Sequence, residues 1–272
     1  MSVAVARRPA AWADHLAASL RLLGSRTVTL STVELQKIRS DRTELFTRMV
    51  QPVLWLLVFG QIFSRIRAIP TGDLSYLAYL TPGILAQSAL FVSIFYGIQI
   101  IWDRDSGILT KVMVTPTPRA AIVLAKAFAA GVRGLAPVVV LVPAAILLGV
   151  SITPNPLKLV LAALALLLSA GFFACLSMVI AGIAQTRDRL MGIGQLMTMP
   201  LFFASNALYP IAIMPGWLRV LSEINPLTYL VNALRGLLVG APATLWVDFS
   251  VLASAFVVAV ACAAPLLGKL VR

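Results

Sequence analysis

Acidic residues and histidine are scarce in this sequence. Of 272 residues, 10 are Asp or Glu and one, His15, is histidine. A zinc site or a serine hydrolase draws on imidazoles that the chain lacks. No Gly-x-x-x-x-Gly-Lys-Ser/Thr loop occurs, so no backbone cradle for a nucleotide phosphate is encoded and the chain is not expected to hydrolyse ATP itself. A membrane prenyltransferase would gather several aspartates around magnesium and pyrophosphate. In the predicted inner loops between spans the only aspartates are Asp103, Asp105 and Asp188, each beside an arginine. A proton-coupled carrier would hold carboxylates inside its spans; none is predicted there, and Asp248 is placed at an interface. The two cysteines, Cys175 and Cys262, read as small buried apolar residues that say nothing of redox compartment. No cleavable signal peptide is expected, since Arg7 and Arg8 lead into Trp12, Asp14 and His15 and not into an apolar run.

What fills the chain instead is hydrocarbon: 60% of residues are hydrophobic and 12% charged. Soluble domains carry about twice that share of charge, which they need to cover a water-facing surface. Uncharged runs occupy 49–64, 74–102, 134–157, 159–186, 190–218 and 249–268. All but the first reach the roughly 20 residues that cross a bilayer core. The first is extended by the stems of Arg48 and Arg65 at its ends. The expected fold is an all-α integral membrane protein of six transmembrane helices. They fall near 47–67, 77–101, 121–149, 157–184, 190–209 and 246–268. Span three is rich in Ala and Gly early on, which lets its backbone approach a neighbour.

Orientation follows the basic residues. With both termini in the cytoplasm, 17 of the 22 Lys and Arg residues lie on the inner side. The net charge of +12 is accounted for by topology, and nucleic acid is not expected as a partner. Residues 1–46 form a cytoplasmic segment ahead of a transmembrane domain at 47–270. Trp12, Leu16, Leu20 and Leu23 make one helical stripe; Val28, Leu35, Ile38, Leu45 and Met49 make another, with Glu34, Lys37, Arg39 and Asp41 off it. Such a helix suits the inner membrane surface or packs on its own bundle.

Residues 206–248 are apolar but interrupted by Pro210, Pro215, Glu223, Pro226 and Arg235. The uncharged pieces 224–234 and 236–247 would each rise only about 16–18 Å as helix. A re-entrant helical hairpin over 206–245, before the last span, is therefore expected, because irregular backbone at membrane depth needs protein or a wet cavity around it.

Two stretches resemble the ABC-2 type permeases, and most of all the daunorubicin-resistance type of drug and lipid exporter. One is Asp103-Arg104-Asp105-Ser106-Gly107 followed by Val114-Thr115-Pro116 and Lys126, similar to the family's Glu-Arg-Glu-x-Gly-Thr, Thr-Pro and Gly-Lys elements. Here both Glu are Asp, the Thr is Ile108 and the Gly is Ala125. The other is Pro210, Met214-Pro215-x-Trp217-Leu218, Asn225-Pro226-Leu227-Thr228-Tyr229 and Ala233-Leu234-Arg235-Gly236.

The resemblance implies an export permease in the bacterial plasma (inner) membrane, paired with a second permease copy or paralogue. ATP and Mg would be bound by a separate ATPase subunit, with no cofactor in this chain. The cargo would be a hydrophobic or amphipathic drug, lipid, glycolipid or polyketide; a polymer exporter of the same family, or a passive channel or accessory membrane protein, stand as alternatives. The loop 102–119 would be the ATPase-coupling element, through Asp103, Arg104, Asp105, Gly107, Thr115, Pro116 and Arg119, with a helix at 27–48 as second contact. An outer gate would be built from Tyr209, Pro210, Pro215, Trp217, Asn225, Pro226, Tyr229 and Arg235, the last pairing with Glu223 or capping a helix end. Lys126 and Arg133, seven apart on one face, either face the translocation cavity or snorkel to the interface. Phe202 and Phe203 either line a lipid-accessible path or simply pack, and membrane lipid surrounds the whole.

Overall fold

Every regular element among the described residues is helical. The structure, a computed structural model, describes residues 11–40, 42–66, 69–72, 74–184, 186–268 and 270. The Arg7, Arg8, Lys269 and Arg272 positions lie outside them, as do the side chains of Trp12, His15, Leu16, Ile38, Leu45, Arg48 and Arg65.

The N-terminal helix α1, Ala11–Ser40, leads to α2, Arg42–Leu54. One π-helical turn, Trp55–Phe59, follows Pro52 and opens into α3, Gly60–Ile66. Rings fasten this short apolar helix to its neighbour. Trp55 and Phe59 stack at 4.5 Å, Phe59 and Phe63 at 6.1 Å, and Phe63 meets Tyr76 at 5.5 Å. Ring pairs at these spacings favour offset or edge contact beyond simple burial.

Tyr76 opens α4, Tyr76–Ile98, whose first turn is capped by the Ser75 hydroxyl accepting from the Ala78 N–H at 3.2 Å. This helix is the core: nearly all its residues are buried, against α3 and most of the later helices. After a one-residue interruption at Gln99 it continues as α5, Ile100–Asp105. A turn at Ser106–Gly107 precedes α6, Ile108–Val114. The next span is made of α7, Arg119–Gly134, and α8, Ala136–Leu147; Pro137, lacking an N–H, marks the joint. Ala121, Ala125, Ala129, Ala130 and Gly134 are all buried, so small side chains do bring α7 close to its neighbours. Long α9, Pro156–Ala184, is followed by α10, Arg187–Phe203, by a 3₁₀ turn at Ile211–Ile213, and by α11, Gly216–Ile224, α12, Pro226–Leu238, and α13, Leu245–Leu267.

Four helical stretches are long and apolar enough to cross a membrane: Tyr76–Asp105, Arg119–Leu147, Pro156–Ala184 and Leu245–Leu267. The expected first span is a shorter apolar stretch, Met49–Ser64, and the expected fifth is the 17-residue α10. That fifth helix ends at Phe203, not at 209, because the chain turns at Ala204 just after Pro200.

Other expectations need correction. In the hairpin region the interruption expected at Pro226 is present, with Asn225 between the helices, but none occurs at Arg235, which lies inside α12. The Asn225 side chain accepts from the Leu227 N–H at 3.0 Å and Pro226 takes the first helical position, where no N–H is required. On α1 the second apolar stripe is not the packed face. Val28 is 67% exposed, whereas Ser31 and Glu34 are buried against α7. Cys262 is exposed, because α13 packs mainly on α9 and α12 and leaves its outer face open. Asp248 lies in the first turn of α13, at an end of that span, with its side chain buried in the protein.

Candidate functional site

Helical spacing assembles a charged cluster at one end of the bundle. Glu34 and Lys37 are three apart on α1, Tyr96 and Asp103 seven apart along α4 and α5, and Lys126 and Arg133 seven apart on α7. These three faces converge. The Lys126 ammonium lies 3.1 Å from Glu34 Oε1 and 2.5 Å from Asp103 Oδ2. Lys37 closes the ring at 3.3 Å from Glu34 and 3.4 Å from Asp103. The Tyr96 hydroxyl donates to Glu34 Oε2 at 2.6 Å, and the Arg133 guanidinium lies 4.2 Å from the centre of the Tyr96 ring.

Two carboxylates and two ammonium groups thus alternate, with no net charge among the four. The Lys126 side chain is 5% exposed. At that depth a charge is tolerated only when paired and hydrogen-bonded, and removing one member strands the others. Burial disfavours the Glu34 carboxylate. The Lys126 charge, the Tyr96 hydroxyl and the Lys37 charge together outweigh it and hold its pKa below the ordinary glutamate value. Lys126 and Arg133 are both buried and engaged within the chain.

The 102–119 segment divides at Asp103. Asp103 turns inward to the cluster just described, while its neighbours face out. Arg104 Nη2 is 2.9 Å from Asp105 Oδ1, and Arg187 Nε donates to Asp105 Oδ2 at 2.6 Å. Arg187 also lies 5.5 Å from the Trp102 ring centre, so the α9–α10 turn is tied to the loop. Gly107 has φ of 73°, a left-handed conformation that glycine adopts without strain, and it starts α6. That helix buries Leu109 and exposes Ile108 and Val114. Thr115 ends it, its hydroxyl donating to the Val112 carbonyl at 2.6 Å; Pro116 follows, and Pro118 precedes α7. Arg119, first in α7, lies against Gly268 at the C-terminal end of α13, so close that a Cβ there would fall 2.5 Å from its Nη1.

At the opposite end of α4 the outer segment is pinned by polar contacts. The Arg235 guanidinium stacks 3.7 Å from the Tyr79 ring centre and donates to the carbonyls of Tyr79 at 3.3 Å and Asn206 at 3.0 Å. Glu223 is not its partner. That side chain is exposed one helix away, and its backbone carbonyl accepts from the Tyr229 hydroxyl at 2.7 Å. Asn206 Nδ2 donates to Asn232 at 2.5 Å, and Tyr79 donates to the Asn206 carbonyl at 3.1 Å. Gly83 lets this loop sit directly on α4, since a Cβ there would fall 2.3 Å from the Ala207 carbonyl oxygen.

Asn225 serves two helices. Besides capping α12, its Nδ2 donates to the Leu201 carbonyl at 2.6 Å, near the end of α10. The Tyr209 hydroxyl donates to Phe203 O, Pro210 opens the 3₁₀ turn and Pro215 precedes α11. Trp217 is 68% exposed on the outer face of α11, alongside Val220, Leu221 and Ile224. Phe202 is fully buried, edge-on to Trp55 at 6.1 Å, while Phe203 is exposed beside it.

Sequence reasoning missed Glu34, Tyr96 and Tyr79 as partners of the basic residues. Glu34 carried one signal, its scarcity: a buried lysine needs an acid, and few are present. Among the described residues no group of three or more His, Cys, Asp or Glu is placed to hold a metal.

Residues 26–239 match the sequence pattern of the ABC-2 type transporter family. The chain is 31% identical over 193 residues to a protein of Cyanophora paradoxa named as transport permease ycf38, a match covering 70% of this chain and 66% of that relative. It is 25% identical over 229 residues to the daunorubicin resistance ABC transporter permease protein DrrB1 of Streptomyces coeruleorubidus, covering 84% and 80%. With the inner membrane transport permease YadH of Escherichia coli it shares 26% over 196 residues, covering 69% and 73%.

Proposed function

The chain belongs to the ABC-2 type transporter family, and on that premise we propose that it is the membrane subunit of an ATP-driven exporter moving a hydrophobic or amphipathic compound outward. In this reading a separate subunit binds ATP and Mg, a second permease copy completes the pathway, and both termini face the cytoplasm. Met49–Ser64 and α10 complete a set of six spans. The α11–α12 hairpin closes the outer side as a gate.

One observation carries the reading. The segment from the end of α5 through α6 presents Asp105, half-buried Arg104 and the outer face of α6 to the outside, yet is bound through Asp103 to Lys126 of a long span and to α1. A surface with charges of both signs suits reversible protein docking. A neutral ionic node directly behind it would pass displacement into the spans. A passive channel has no use for such a linkage.

The test is co-expression with an ABC ATPase subunit from the same organism. Retention of that ATPase on the purified permease is expected. Reversing Asp105 and Arg104 to the opposite charges should release it and stop transport into inverted vesicles. Undiminished binding and transport in that variant would refute the coupling assignment.

A further inference from the structure

Between α2, α4 and α10 lies a cavity of about 220 Å³ that none of the features above uses. Its described lining is half polar, from Thr47, Gln51, Gln87, Ser88 and Gln195, and half apolar, from residues that include Phe91 and Phe95. Gln87 is 4% exposed, and its Oε1 is buried with no hydrogen-bond partner. A buried amide left so is costly, so its presence in the most buried helix of the fold points to a group that enters and bonds to it. Ser88 donates to the Ile84 carbonyl at 2.8 Å and keeps its acceptor lone pairs.

The volume is below the 300–1,000 Å³ usual for a whole drug-sized ligand. It suits one polar group of such a molecule. An apolar groove of about 510 Å³ adjoins it, sharing Thr47 and Gln51 and running along Val50, Leu54, Trp55 and Val58. Polar chamber and apolar groove together have the form of a site for an amphipath, head in one and body in the other.

Charge decides the class of head group. Among the described residues the lining holds no ionisable side chain, so a cation or an anion would lose its hydration shell and gain no counter-charge from them. Hydroxyls both donate and accept, as the amides do, and sugar or polyol faces pack on rings such as Phe91 and Phe95. We propose that this cavity binds the uncharged, hydroxyl-bearing head of an amphipathic molecule, a sugar or polyol group, while its apolar body lies in the adjoining groove. The assignment rests on the export reading for its purpose, since the bound molecule would be the cargo; the binding itself needs no ATPase.

The experiment uses the purified full chain in nanodiscs, without ATPase. Photoreactive octyl glucoside is compared with equally long alkyl trimethylammonium and alkyl phosphate probes and with a two-chain glucosyl diacylglycerol probe. Labelled peptides are identified by mass spectrometry. Labelling of 47–58, 87–95 or 195 by the glucoside, competed by unreactive octyl glucoside, is expected at least about fivefold above the charged probes. Gln87→Leu and, on the rim, Gln51→Leu and Gln195→Leu should each reduce it about fivefold or more, as the loss of one or two hydrogen bonds would.

The rim variants keep the test decisive if Gln87→Leu fails to fold. Labelling by the one-chain probe alone assigns the site to small amphipathic compounds. Labelling by both glucosides extends it to bilayer glycolipids; either upholds the proposal. Equal labelling by neutral and charged probes, or labelling unaffected by the rim variants, overturns it. Glucoside binding without ATP-driven transport would instead refute the export reading and leave the site standing.

Discussion

Glu34 and Lys126 are 92 positions apart in sequence and 3.1 Å apart in space. Their contact joins the N-terminal helix to a membrane span, and Asp103 completes it from the loop between them along the chain.

Lys126→Met should destabilise strongly. It strands two carboxylates in a buried setting, and breaking such a group costs about 3–5 kcal/mol. Thermal unfolding in detergent, followed by size exclusion, measures it. Adding Glu34→Gln to Lys126→Met should cost less than the two single losses combined, because the groups act together.

The same pair sets an acid dependence. The folded-state pKa of Glu34 lies below its free value of 4.5, so the unfolded chain takes up the proton first as pH falls. The stabilisation is complete above 4.5 and disappears as pH drops through the folded value beneath it. Glu34→Gln should be less stable than wild type at pH 7, with the gap narrowing between about pH 5 and pH 3. A gap constant over that range would contradict the linkage.

Arg235→Lys should not rescue Arg235→Ala. One planar guanidinium stacks on Tyr79 while donating to two carbonyls, and an ammonium cannot reproduce that geometry. Both variants should lose about 1.5–3 kcal/mol of stability. Under the gate reading they also lose transport while the ATPase stays bound.

Asn225→Ala removes a cap from α12 and a donor from the end of α10. A loss of about 1–2 kcal/mol is expected from the cap. Asn225→Asp, which keeps the capping oxygen but not the donor, should recover only part of it.

Much of this architecture was readable from composition. Apolar runs located the helices, because length and hydropathy are local properties. Pro226 and Arg235 both read as interruptions of the 206–248 segment, but only Asn225-Pro226 has the capping chemistry of a helix start, and Arg235 lies within α12. The charged cluster was only half visible. Lys126 and Asp103 were singled out separately, but Glu34 was assigned to a solvent face because it lay off the apolar stripe. Periodicity finds the greasy side of a helix; it does not reveal that the packed side of α1 is the polar one, which only the position of Lys126 on another helix determines. Tyr79 was missed for a similar reason, since its partner Arg235 is 156 positions away.

The stretch Tyr76–Asp105 has a mechanical corollary. Tyr79, near its outer tip, carries Arg235, and Asp103, at its inner tip, carries Lys126, with about 36 Å of helix between them. A tilt of this one beam moves both attachments at once in opposite directions. A push at the Asp103 end would therefore loosen or tighten the Arg235 contact in the same stroke, with no relay of intermediate contacts.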